Sequence, residues 1–438
     1  MRILEYTLTM SASLDEILTF GESVVLAAEA AKVFRPRTPI TSKELFAGRW
    51  NELKAVADAV NQPGLHAVIY GERGVGKTSL ANVISPTIRV LDRSGKQESE
   101  VSERLIVKTV TTTGDSFSSI WGKLFGEVSM IDNRPTIGLI PNSRERIPLL
   151  DAYGLKHPLS IDDVRRILVN IPGSVFIIDE FDRASDEASR AITDLIKTLS
   201  DFGIDSTVVL VGVSDTIDRL ISDHASIVRA ISQIFMRRMT PEELKIILTN
   251  AEKALTVKFS EEASSLTVHI SQGLPHYTHL IGLNAVRVAV ATNFSRRIER
   301  GDVFKALEEA TKQAEQTARE KHSKATHSSH KDALYRQVLL ACAVAVARSD
   351  DALGYFNPAS VAEPLSQILQ RHVAIATFNS HLSEFCQGKR GPVLERDGQP
   401  RAYRFRFNDP MVVPFVFMDA VTKNTVSQDQ LSQMLTSY

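Results

Sequence analysis

The segment Gly71-Glu72-Arg73-Gly74-Val75-Gly76-Lys77-Thr78 has the spacing G-x-x-x-x-G-K-T. Its glycines let backbone N–H groups turn inward around an anion. A helix starting at Lys77 would aim its positive end at the same point. The Lys77 ammonium would reach the β- and γ-phosphates of a nucleoside triphosphate, and the Thr78 hydroxyl would bind Mg²⁺. Val75 and Ser79 complete the cradle. Further along, Ser174-Val-Phe-Ile-Ile-Asp179-Glu180 is an apolar run ending in two acids. Asp179 suits the magnesium shell, and Glu180 suits a general base that activates the attacking water. Together the two motifs predict binding and hydrolysis of a nucleoside triphosphate with Mg²⁺. Asp182 and Arg183, next in the chain, read as a local ion pair rather than as chemistry.

These residues need a strand before the glycine loop, a helix after it and a second strand ending at Asp179. His66–Tyr70 is an apolar run of strand length, and Lys77–Ser85 reads as the helix. The stretch 105–202 alternates strand and helix, with a capping-box spacing at Ser160-Ile161-Asp162-Asp163. Residues 129–159 show no clear period and read as an insertion. Ser206–Gly212 is another buried strand. This alternation predicts an α/β fold, a parallel sheet covered by helices on both faces.

The pattern turns all-helical at Thr240-Pro241-Glu242-Glu243, which combines an N-cap, a proline at N1 and a Glu at N3. The predicted organisation is an N-terminal helical segment (1–42), the nucleotide-binding α/β domain (43–239) and an all-α lid (240–320). A linker (321–332), a winged helix-turn-helix (333–420) and a tail (421–438) follow. His322, His327 and His330 in the linker lack a fixed metal geometry and read as solvated. In the last region, helices near Tyr335–Ala347, Asn357–Gln370 and Thr377–Phe385 precede two alternating runs around Asp397-Gly398, a hairpin signal.

Six basic residues between Lys389 and Arg406 face only Glu395 and Asp397, a local excess of four positive charges. Arg404 and Arg406 alternate with Phe405 and Phe407, so the arginines share one strand face. Lys389, Arg390, Arg396, Arg401 and Arg404 are thus candidates for duplex DNA phosphates. Asn379, Ser380 and His381 could read base edges. A protein-interaction role for the same domain stays open.

Composition sets the limits. The chain has 438 residues, with 51 Lys+Arg against 52 Asp+Glu, 43% hydrophobic and 24% charged. That excludes collagen, a disulfide scaffold and a disordered tail protein. Near-neutral charge predicts no strong nonspecific pull on nucleic acid, so any such binding must be local. Cys342 and Cys386 read as reduced thiols of a cytoplasmic protein. No apolar run reaches the roughly 18 residues of a membrane span, and the start has no signal-peptide pattern.

The chain resembles the AAA+ ATPases, in particular the initiator-type clade of origin-recognition proteins and its STAND relatives, over about residues 43–310 and on into the C-terminal domain. Leu45-Phe46-Ala47-Gly48-Arg49 is similar to the box that lines the nucleotide before the glycine loop. Val208-Val-Leu-Val-Gly-Val-Ser214 is similar to the sensor 1 strand. The resemblance implies that Ser214 helps to place the lytic water, and that Arg229 is an arginine finger for a neighbouring copy. Arg237 and Arg238 are alternative fingers. Gly273-Leu274-Pro275 is closer to STAND proteins, where the proline packs on adenine. The stretch Pro275–His279 lacks the sensor 2 arginine of initiators. A homo-oligomer and a nucleotide switch that recruits a separate effector chain are both implied.

Overall fold

The computed structural model describes residues 18–42, 45–93, 104–131, 146–214, 217, 227–330, 333–351, 353–399 and 402–436. They form two compact units. One spans 39–237, and the other joins the residues up to Thr38 with those from Arg238 onward. The first described helix, α1 (Phe20–Val33), belongs to the second unit and starts at a capping box between Thr19 and Glu22.

The 39–237 unit contains α2 (Trp50–Val60), β1 (His66–Gly71), α3 (Lys77–Arg93), β2 (Ile106–Val110) and α4 (Phe117–Gly126). A small antiparallel pair, β3 (Ser129–Ile131) and β4 (Arg146–Pro148), lies in the stretch read as an insertion and leads into α5 (Leu149–Ala152). Then come α6 (Ile161–Val169), β5 (Ser174–Asp179), α7 (Asp186–Asp201), β6 (Ser206–Val213) and β7 (Ile231–Phe235). The five-stranded sheet has the order β2-β5-β6-β1-β7, with all its pairs parallel. All six residues of β5 are buried, as expected of a strand covered on both faces. Trp121, Phe125 and Phe176 form an aromatic cluster with ring centroids 5.2–5.9 Å apart. It ties α4 to β5, the inner strand that ends in the acids.

The second unit continues with α8 (Pro241–Leu255), β8 (Lys258–Phe259), α9 (Glu261–Ser271), α10 (Pro275–Val288), β9 (Arg297–Ile298) and α11 (Arg300–Gln313). After these come α12 (Gln316–Thr326), α13 (Tyr335–Ala347), α14 (Pro358–Leu369) and α15 (Ile375–Phe385). The chain ends with β10 (Leu394–Asp397), β11 (Arg404–Phe407), α16 (Val412–Thr422) and α17 (Gln428–Thr436). The order of three helices and a hairpin is the one expected for residues 333–420. β10 and β11 pair antiparallel with Asp397 opposite Arg404, so Asp397-Gly398 is not a two-residue turn between them.

Two sequence expectations are corrected here. The linker at 321–332 begins inside α12. Lys321 pairs with the buried Asp409 at 2.8 Å, while His322 packs 5.2 Å from the Phe415 ring and 3.6 Å from Asp419. Lys321 and His322 are polar because their partners are buried acids, whereas Ser323, Lys324, His327, Ser329 and His330 are exposed as expected. The tail at 421–438 contains α17, whose Leu431 and Met434 are buried. α16 is almost wholly apolar and packs against α9, α11, α12 and α13, so lid and C-terminal helices share one core. The Tyr277 hydroxyl, on α10, donates to the Met411 carbonyl at 2.6 Å within that core. Among the described residues no helix is long and apolar enough to cross a membrane. Cys342 and Cys386 are free thiols.

Candidate nucleotide site

The glycine loop leaves β1 and runs directly into α3, which begins at Lys77. Gly74 and Gly76 have φ of 85° and 98°, left-handed values that favour glycine, and these let the loop curl. The Lys77 ammonium donates to the carbonyls of Gly71 at 3.0 Å and Glu72 at 2.7 Å, inside the curl. Burial pushes its pKa down to about 8, against the opposing pull of Asp182, Asp179 and Glu72. A phosphate chain in the loop would supply the charge partner that this buried cation calls for.

Asp179 ends β5, and its Oδ1 stands 3.4 Å from the Thr78 hydroxyl. Two hard oxygen donors thus converge at the mouth of the loop, a donor set that fits Mg²⁺. Glu180 follows with φ 55° and forms a half-exposed ion pair with Arg183 at 2.9 Å. Arg183 therefore serves Glu180 and not Asp182, contrary to the expectation from sequence. Asp182 instead accepts the Val213 N–H at 2.8 Å and caps the end of β6.

β6 lies between β1 and β5, so its end falls between the loop and the acids. The Ser214 N–H donates to the Gly71 carbonyl at 3.3 Å, which brings this residue to the start of the loop. Arg49 is 2% exposed and left-handed, with φ 62°. Its guanidinium meets Glu52 at 3.1 Å, the Val75 carbonyl at 3.3 Å and the Arg237 carbonyl. It props the loop from behind. The Ser79 hydroxyl accepts the Ile40 N–H at 3.1 Å, so it holds the chain leading into the unit.

Arg229 sits on a short turn before β7, exposed and paired with Asp201 at 3.0 Å. β7 begins opposite His66, at the far end of β1 from Gly71. A strand of this length spans roughly 17 Å, so Arg229 and its own glycine loop lie at opposite ends of the sheet. In the other unit, Pro275 heads α10 after a tight turn at Gly273. A Cβ on Gly273, whose φ is +74°, would stand 2.6 Å from Arg238 Cβ, so only glycine fits that turn.

A family model described as novel STAND NTPase 1 matches residues 39–341. The chain belongs to that family. The match covers the whole glycine-loop unit of this STAND NTPase and runs through the helical region into α13. No curated protein matches the chain. Among solved structures it is similar to the ORC2 protein of Aeropyrum pernix, solved as ADPNP–ADP complexes. The identity is 14% over 93% of this chain and 98% of that one, with a TM-score of 0.48. Cdc6p of Pyrobaculum aerophilum is 14% identical over 93% and 98%, with a TM-score of 0.44. The A. pernix ORC1 protein in complex with DNA is 14% identical over 90% and 97%, with a TM-score of 0.41.

Sequence reasoning missed Lys108. It lies on β2 beside β5, with Nζ 2.8 Å from Asp179 Oδ2 and 2.6 Å from Asn82 Oδ1. The available signal was a lysine inside the β-branched run Ile106–Val110, on a strand that had to neighbour the acids. The basic residues of the C-terminal region are also less available than their charge implied. Arg404 pairs with Asp397 at 2.7 Å, Arg406 pairs with Glu395, and Arg396 lies 4.3 Å over the Tyr403 ring. Arg390 turns inward and is 12% exposed, whereas Lys389 is exposed. Arg401 lies outside the described residues. Phe405 and Phe407 are buried, as the alternation required.

Proposed function

We propose that this STAND NTPase binds ATP with Mg²⁺ and hydrolyses it to ADP and phosphate, using the nucleotide state as a switch. The observation that carries this reading is the meeting of Thr78 and Asp179 at the end of a glycine loop that also encloses Lys77. Lys77 and the loop N–H groups would hold the β- and γ-phosphates. Mg²⁺, held by Thr78 and Asp179, would neutralise charge on those phosphates when bound. Glu180 would take the proton of the attacking water. To do so it must part from Arg183, and an exposed pair of this kind is worth only about 0–1 kcal/mol. Ser214 would help to place the water. Arg49 would act through the Val75 backbone rather than by touching nucleotide.

The position of Arg229 supports a shared site, in which one copy lends its guanidinium to the γ-phosphate held by the next. The reading therefore includes a homo-oligomer formed with ATP. Lys389, exposed beside the hairpin and in no ion pair among the described residues, supports a second reading, contact with duplex DNA in which Arg396 and Arg404 would join. A separate effector chain is the alternative target of the same switch. Phosphate release with and without duplex DNA tests these readings. Turnover that needs Glu180 supports the ATPase, and stimulation by duplex supports the DNA contact. Undetectable turnover in a protein that keeps bound nucleotide would leave only the switch.

A further inference from the structure

A cavity of about 1060 Å³ opens in the C-terminal unit where the end of α12 and residues 327–330 meet α15 and the turn after it. Lys324, His327, His330, His381 and Lys389 line it, with Arg390 in its wall and Glu320 the one carboxylate of its lining among the described residues. The sequence had assigned Lys324, His327 and His330 to a solvated linker.

The wall is built. The Arg390 guanidinium lies 3.5 Å over the Tyr335 ring and donates to the carbonyls of Ala325, at 3.3 Å, and His327. Those bonds satisfy carbonyls at the C-terminal end of α12, whose partial negative charge would otherwise repel an anion. Glu384, the acid behind the wall, accepts the Tyr335 hydroxyl at 2.7 Å and lies 3.7 Å from Arg390. His381 packs against Tyr335 with ring centroids 4.7 Å apart and the planes tilted by 56°, and its Nδ1 is buried without a hydrogen-bond partner among the described residues. Lys324 and Lys389 are exposed and form no ion pair among the described residues. Glu384 and the α12 carbonyls are thus engaged by Arg390 and Tyr335, Glu320 accepts the Gln316 amide at 2.6 Å, and the ammonium groups of Lys324 and Lys389 are left facing solvent.

We propose that this cavity binds a phosphate-bearing ligand, gripped by Lys324 and Lys389 with the imidazoles of His327 and His330 beside them. Ammonium groups, imidazoles and the hydroxyls of Ser328 and Ser329 supply donors, which phosphate oxygens require. The volume exceeds one phosphate and admits a nucleotide-sized group. The phosphate belongs either to a free phosphorylated molecule or to the backbone of a duplex. This inference does not depend on ATP hydrolysis at the glycine loop.

The test uses full-length protein carrying Lys77→Ala, so that the glycine loop contributes nothing. Pyrophosphate binding is measured by calorimetry and a short fluorescent duplex by anisotropy, each with and without added Lys324→Gln and Lys389→Gln. Both lysines are exposed, so circular dichroism should show an unchanged fold. At least one probe should bind and lose about tenfold or more in affinity with the two substitutions. For the duplex, the slope of log affinity against log salt should also fall by about 1.8. Loss with pyrophosphate assigns a free phosphorylated ligand, and loss with duplex alone assigns the backbone. No binding of either probe at low salt, or binding indifferent to both substitutions, overturns the proposal. A failure of the ATPase reading would appear separately, as wild-type protein that does not bind ATP.

Discussion

Lys108 Nζ lies 2.8 Å from Asp179 Oδ2, so the acid expected to serve magnesium already has a cation beside it on the neighbouring strand. Asp179 is 2% exposed. A buried carboxylate without a counter-charge is costly, and Lys108 offsets that cost while Asn82 steadies the ammonium at 2.6 Å.

Replacing Lys108 with Met should therefore have two opposite effects. Without nucleotide the protein should lose about 1–3 kcal/mol, because Asp179 is left without its partner. With ATP present, half-saturation by Mg²⁺ should move to roughly tenfold lower concentration, since the competing cation is gone. Thermal melts and magnesium titrations read the two effects. A variant that needs more Mg²⁺ would show that Lys108 assists the metal instead of competing with it.

Glu180→Gln should bind ATP as wild type does and turn it over at least about a hundredfold more slowly, because only the proton acceptor is removed. Loss of binding would mean that Glu180, not Asp179, serves the metal. Unchanged phosphate release would remove Glu180 from the chemistry.

Arg229 and Gly71 occupy opposite ends of the sheet, so a role for Arg229 requires a second copy. Arg229→Ala should keep ATP binding and lose turnover, by about 10³–10⁵ where such fingers act fully. Mixing it with Lys77→Ala protein should restore part of the rate, since each variant supplies what the other lacks. Sedimentation with ATP should show self-association. A monomer at every concentration, with no restoration on mixing, would contradict the shared site.

His66 and His279 are buried neutral imidazoles, with pKa values pushed down by burial to about 3 and about 4. Unfolded histidine takes up a proton near 6.5, so below that pH the unfolded chain binds more protons than the fold. Stability should be intact above pH 6.5 and fall as pH drops toward 4, by up to about 1.4 kcal/mol per unit for each residue. His279→Gln should flatten that decline in thermal melts. Equal acid sensitivity in variant and wild type would show that other groups dominate.

The glycine loop, the strand ending at Asp179 and the caps at Ser160 and Thr240 were legible because each rests on residues close together in sequence. The capping boxes form as their spacing implied. What stayed hidden depends on contacts between distant residues. Nothing near Arg390 in sequence says that its guanidinium will stack on Tyr335 and close the end of α12. Likewise, Lys321 and His322 look solvated until Asp409 and Asp419 are placed beside them. Charge counted along the hairpin could not show that Asp397 and Glu395 neutralise Arg404 and Arg406 across the strands. Composition records the sign of a charge, whereas the partner depends on the fold.

The most direct measurement of the central claim is calorimetry of ATP with Mg²⁺ against wild-type protein and Lys77→Ala. Lys77 is buried inside the loop and bonded to two of its carbonyls, where a phosphate chain would meet it. Wild type should bind one ATP per chain, and the variant should lose at least about a hundredfold in affinity, because no other ammonium stands within the loop. Equal affinity in the two proteins would contradict the assignment of the glycine loop as the nucleotide site.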